Sequence, residues 1–133
     1  TKGKSYFGAD FKHAFLAMHL NRPLLGQRVD DLLGVLRTFA ASRSGKIHLE
    51  ARGQAGLIAL HAAALSRRID SVTVEGMLVS WSNVVHTPVS YQQLSWVVPG
   101  VLKHYDLPEL AAAIAPRPLT MRHPVDAQGK EVK

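Results

Sequence analysis

The sequence predicts an α/β domain in three layers, a small parallel sheet flanked by helices, and three observations carry that prediction. Ile47, Leu49 and Ala51 alternate with His48 and Glu50 as in a strand, and the chain then passes a small-residue turn at Gly53 into an almost wholly apolar helix. Val72 and Val74 mark a second strand directly after that helix, and a strand–helix–strand unit of this length implies parallel strands joined by a right-handed crossover. A further helix and a strand at 118–122 repeat the arrangement. Parallel sheets prefer cover on both faces, which makes three layers the expectation.

In chain order, residues 9–20 carry Phe11, Phe15, Leu16, Met18 and Leu20 among polar partners, a short helix that Asn21-Arg22-Pro23 ends. Residues 27–41 place Val29, Leu32, Leu33, Leu36, Phe39 and Ala40 at helical spacing, with Arg28, Asp30, Asp31 and Arg37 on the other side. Ser42-Arg43-Ser44-Gly45 stops this helix before the strand at 47–51. Leu57 to Leu65 is apolar almost all round, so this helix is buried between the sheet and another element. Strands are expected at 71–75 and 118–122. Asp106-Leu107-Pro108-Glu109 reads as a capping-box start for a helix through Ile114, and Pro116 and Pro118 bracket the turn after it. Between Glu75 and Asp106 the long connection shows weak periodicity, and connections of that length are usually functional or hide an element.

With 47% hydrophobic and 20% charged residues over 133 positions, the composition is that of a globular domain with a real core. One domain over residues 1–133, incomplete because its first strand exposes an edge, is the simplest partition. The edge predicts pairing with another segment, either in a homo-oligomer or in a larger chain, and a start at Thr1 without methionine or apolar signal also suggests an excised or processed piece. No apolar run approaches the roughly 18 residues of a membrane span. The net charge of +6 raises nucleic-acid binding, but the basic residues read as dispersed: Lys2 and Lys4 in a frayed terminus, Arg67-Arg68 ending a helix, Lys130 and Lys133 closing the chain. Neither nucleic acid nor membrane is therefore expected as a partner. No cysteine is present, which excludes disulfides and thiolate chemistry. The seven histidines lack metal-ligand spacing, and neither metal nor cofactor is expected.

The order of pieces resembles the second half of an α/β-hydrolase, and more narrowly the acetyl xylan esterase-like hydrolases. The resemblance spans about residues 6–130. It is carried by Asn21 to Arg28, the segment 47–60, Val98-Pro99-Gly100-Val101-Leu102, Tyr105 to Leu110 and, most specifically, Ala115-Pro116-Arg117-Pro118-Leu119. It implies an ester hydrolase with a serine lifted on a sharp strand-to-helix elbow, a later histidine as base and an acid orienting that histidine. Only the acid place is matched, by Asp126. Gly53 stands at the nucleophile place, and the expected histidine has no counterpart before Lys133. The resemblance thus implies the fold with a silent site, a carbohydrate or carbohydrate ester as ligand, and an extracellular or periplasmic setting.

Several readings stay open beside it. Gly53 is a vacated nucleophile position, an ordinary tight turn or part of a phosphate-binding turn. For the last, Gly53 and Gly56 would fill the second and third places of a dinucleotide fingerprint whose first place holds Ala51, with Glu75 as the acid on the ribose. Alternatively the chain is a carbohydrate- or partner-binding module, with Trp81, Tyr91 and Trp96 as a stacking platform or as packing over the sheet. Ser80, Ser82, Ser90 and Ser95 lack an elbow and read as surface or capping residues. His61 reads as a hydrogen-bonded core residue, while His86 and His104 are the histidines to examine for proximity to Asp126.

Overall fold

The alternation of apolar and polar residues in the strands produces a sheet with one buried side. In the computed structural model, which describes residues 6–133, the elements run α1 (Phe11–His19), α2 (Leu24–Ser42), β1 (His48–Arg52), α3 (Ala55–Leu65), β2 (Ser71–Glu75), α4 (Trp81–His86), α5 (Leu107–Ala112) and β3 (Leu119–Arg122). The strands form one parallel sheet in the order β1-β2-β3, with Ala51 beside Val74 and Val74 beside Met121. Val72 and Val74 are buried under α3, which also packs against α2 and α5. Leu57, Leu60, Ile69, Met77 and Leu78 fill the space between these layers with no exposure.

The expectation of three layers is corrected here: the helices cover one side of the sheet. On the opposite side the register gathers His48, Glu50 and Arg52 beside Ser71, Thr73 and Glu75, at best half-buried. These groups satisfy one another or meet solvent, as in the contacts of His48 Nδ1 with Ser71 Oγ at 2.5 Å and of His48 Nε2 with Thr73 Oγ1 at 3.2 Å. As expected, β1 lies at an edge, and β3 forms the other edge.

Element boundaries shift for local reasons. Helix α2 begins at Leu24 rather than near residue 27, because Pro23, in extended conformation, stands at its N-cap and Leu25 is drawn into the core. Helix α5 stops at Ala112, short of Ile114, and the next residues turn toward Ala115, whose position before Pro116 disfavours helix. Helix α3 begins two residues earlier than expected, at Ala55, and it ends at Leu65, so Arg67 and Arg68 lie beyond it. The long connection holds α4 and single 3-10 turns at Leu94–Trp96 and Val101–Lys103. Lys2 and Lys4, expected in a frayed terminus, lie outside the described residues.

Two charged side chains pin this arrangement. The Arg117 guanidinium donates to the carbonyls of Ala63 (2.7 Å), Ser66 (2.9 Å), Ile69 (2.8 Å) and Ile114 (3.3 Å), closing the C-terminal end of α3. The Asp106 carboxylate accepts from Leu107 N at the start of α5, and from Trp81 N and Ser82 N at the start of α4. The expected capping box is present, with Asp106 N donating to Glu109 Oε2 at 2.8 Å.

His61 is a core residue, as expected. Its Nδ1 lies 2.6 Å from the Leu57 carbonyl, so that nitrogen carries the proton, and Nε2 accepts from Tyr105 Oη at 2.9 Å. Burial pushes its pKa below the ordinary 6.5, the bond to Leu57 opposing that fall. The unfolded chain therefore binds a proton more readily than the folded one. The stability contributed by neutral His61 is complete above about pH 6.5 and is lost as pH falls through the lower folded value. Urea unfolding at pH 7.5 and 5.5 should show a larger loss for the native chain than for His61→Phe; equal losses would refute this assignment.

Candidate functional site

The candidate site is built where β1 gives way to α3. Gly53 follows the last strand residue and has φ +59°, left-handed backbone that a glycine adopts without steric cost. Its amide donates to the Glu75 carbonyl at 2.7 Å, which ties the bend to the end of β2. A Cβ placed on Gly53 would meet nothing within 4 Å, whereas one on Gly56 would come within 2.8 Å of Met77 Cγ. The first position is open to a side chain and carries none. At the second, the first turn of α3 packs so closely on the segment after β2 that only glycine fits.

Asp126 is brought to the same place. Val125 N donates to the Met77 carbonyl at 2.9 Å, and Val79 N to the Val125 carbonyl at 2.9 Å, so this segment runs alongside the continuation of β2. One Asp126 carboxylate oxygen accepts from the amides of Gln128 and Lys130, both at 2.9 Å, and closes a tight turn. Gly53 and Asp126 thus share one crevice of about 520 Å³ outside the carboxyl ends of the strands, where parallel α/β sheets commonly bind ligands.

The rest of the wall joins two aromatic residues named from the sequence, Tyr91 and Trp96, to carboxamides that sequence reasoning did not single out. Gln54, Gln93 and Gln128 line the crevice together with Tyr91 and Trp96. Gln54 Nε2 donates to Gln93 Oε1 at 3.3 Å, and Gln54 Oε1 is buried with no partner among the described residues. Gln93 is itself held by the carbonyls of Tyr91 and Ala127. The Arg28 guanidinium, on α2, lies 4.6 Å from the centre of the Trp96 ring and pairs with Asp10 at 2.6 Å, which ties the indole to that helix. Nothing in the local sequence signals the roles of Gln54, Gln93 and Gln128, since tertiary packing alone brings them over the turn beside Tyr91 and Trp96.

Other candidates are dispersed. Trp81 is buried, its Nε1 donating to the Trp96 carbonyl at 3.1 Å, so packing and not a ligand platform is its place. Ser80 caps α4 by accepting from Asn83 N. His86 contacts Ser82, and neither His86 nor His104 joins Asp126 in the crevice wall. His123, close in sequence to the acid place, is exposed and pairs with Glu131 at 2.7 Å; that carboxylate raises its pKa. Glu75 faces Arg52 at 3.4 Å, consistent with a strand-end carboxylate. Among the described residues no cluster suited to a metal ion occurs, and no helix is long and apolar enough to cross a membrane. Comparison with protein-family models, with curated proteins and with solved structures finds no significant match.

Proposed function

We propose that this chain is an acetyl xylan esterase-like hydrolase domain that holds a carbohydrate or carbohydrate ester in the crevice above Gly53 without cleaving it. The observation that carries the reading is the bare α-carbon at Gly53, set on a sharp strand-to-helix bend, in left-handed backbone, with open space where a nucleophile's side chain would stand. Acyl transfer needs an attacking atom and a base within hydrogen-bond reach of it. The crevice wall supplies neither a hydroxyl at the bend nor an imidazole among the described residues.

What remains suits binding of a neutral, hydroxyl-rich ligand. Carboxamides donate and accept at once, the Asp126 carboxylate accepts from hydroxyls, and Tyr91 and Trp96 offer apolar ring faces for sugar C–H groups. The unpartnered Gln54 Oε1 is an acceptor that a ligand hydroxyl would satisfy. The outer edge of β1 is where a further strand, from a larger chain or a second copy, would join in this reading.

Hydrolysis of 4-nitrophenyl acetate should match the buffer rate for both the native chain and Gly53→Ser. The serine fits the space, and its left-handed backbone costs about 1 kcal/mol, a Tm loss of about 4 °C, so the variant folds. Turnover by the native chain above the buffer rate would overturn the silent reading, and an increase of about tenfold or more in the variant alone would show that a base is in reach of the bend.

A further inference from the structure

Arg43 and Lys46, between α2 and β1, and Arg67 and Arg68, between α3 and β2, line one cleft of about 710 Å³. It sits at the amino ends of the strands, opposite the Gly53 crevice. Basic residues that read as dispersed along the chain are therefore gathered by the fold, because the two loops entering neighbouring parallel strands lie side by side.

Two ordinary explanations for such a cluster are ion pairing and the capping of helix C-termini, and neither accounts for it. Ion pairs among the described residues join Arg28 to Asp10, Arg52 to Glu75 and His123 to Glu131. The carbonyls at the end of α3 are taken by Arg117, not by Arg67 or Arg68. The cleft's carboxylate, Asp70, is turned to the backbone, accepting from Ile47 N at 2.7 Å. The Arg43 guanidinium lies over Phe39, its Cζ 4.8 Å from the ring centre, a contact that uses no N–H donor on a carboxylate.

We infer that this cleft binds a polyvalent oxyanion of the phosphate-ester or polyphosphate class. Three arginines and one lysine lining a single hollow match in charge and donor number an anion with several oxygens. A nucleic-acid strand is disfavoured, because the lining holds a single ring, Phe39, already paired with Arg43, whereas single-strand binding stacks successive bases on several rings.

Titration of the intact chain with inorganic tripolyphosphate, followed by calorimetry, tests this. Saturable one-site binding that weakens about tenfold or more in Arg67→Ala/Arg68→Ala is expected. Lys103→Ala/Lys130→Ala, which removes the same charge elsewhere, should leave Kd within about twofold. All four cleft cations are exposed, so the variants should keep the native Tm, and Arg43→Ala/Lys46→Ala provides a second pair if the first does not. Absence of saturable binding, an equal loss in the control pair, or tighter binding of a single-stranded oligonucleotide at the same residues would overturn the inference.

Discussion

Replacing Arg117 with alanine should cost on the order of 3 kcal/mol in unfolding free energy, a Tm loss of about 10 °C. One guanidinium serves four carbonyls contributed by α3, the loop after it and the turn after α5. Hydrogen bonds from a charged donor contribute about 1.5–3 kcal/mol each, and part-buried carbonyls left without a donor add a desolvation penalty. The four do not sum, because Arg117 keeps some exposure and solvent would serve part of what it abandons. Arg117→Lys should recover less than half of the loss, since an ammonium cannot reproduce the planar fork that spans Ala63, Ser66 and Ile69. Urea denaturation measures both variants, and a loss below about 1 kcal/mol for the alanine would remove Arg117 from its structural role.

Asp106→Ala should cost about 2 kcal/mol, because one carboxylate caps two helices. Without it, the amides of Trp81 and Ser82 lose the acceptor that starts α4, and Leu107 loses the one that starts α5. Asp106→Asn should fall between the two, since its amide keeps one accepting oxygen and presents a donor where the other stood. The same variants follow Trp81 fluorescence: loss of the cap frees the helix that buries this indole, so emission should shift to longer wavelength before global unfolding. A variant as stable as the native chain would show that the two helix starts are satisfied otherwise.

Both residues also mark how far the sequence could be read. The capping box at Asp106 is legible because its partners are three residues apart, but its second duty at α4 joins positions 25 residues apart, which no local spacing records. Ala115-Pro116-Arg117-Pro118-Leu119 stood out as a motif, yet that its arginine clamps α3 appears only once the chain is folded. The open face of the sheet was within reach. Strands buried on both sides read as near-continuous apolar runs, whereas His48, Glu50 and Arg52 alternate with Leu49 and Ala51, and that alternation already meant cover on one side. Gly53 and Asp126 were assigned places by resemblance, and the fold brings them into one crevice. Gln54, Gln93 and Gln128 escaped notice because carboxamides carry no periodic or catalytic signature and meet only through tertiary contact.

A ligand held above a turn that cannot attack it should be visible in a single titration followed by NMR. An acetylated xylo-oligosaccharide is added to isotope-labelled protein, and amide shifts and the free acetate methyl signal are recorded in the same sample. Saturable shifts are expected at Gly53, Gln54, Gln93 and Asp126, with acetate accumulating no faster than in buffer. Acetate released in step with protein concentration, or a crevice whose amides do not move at saturating ligand, would contradict this reading.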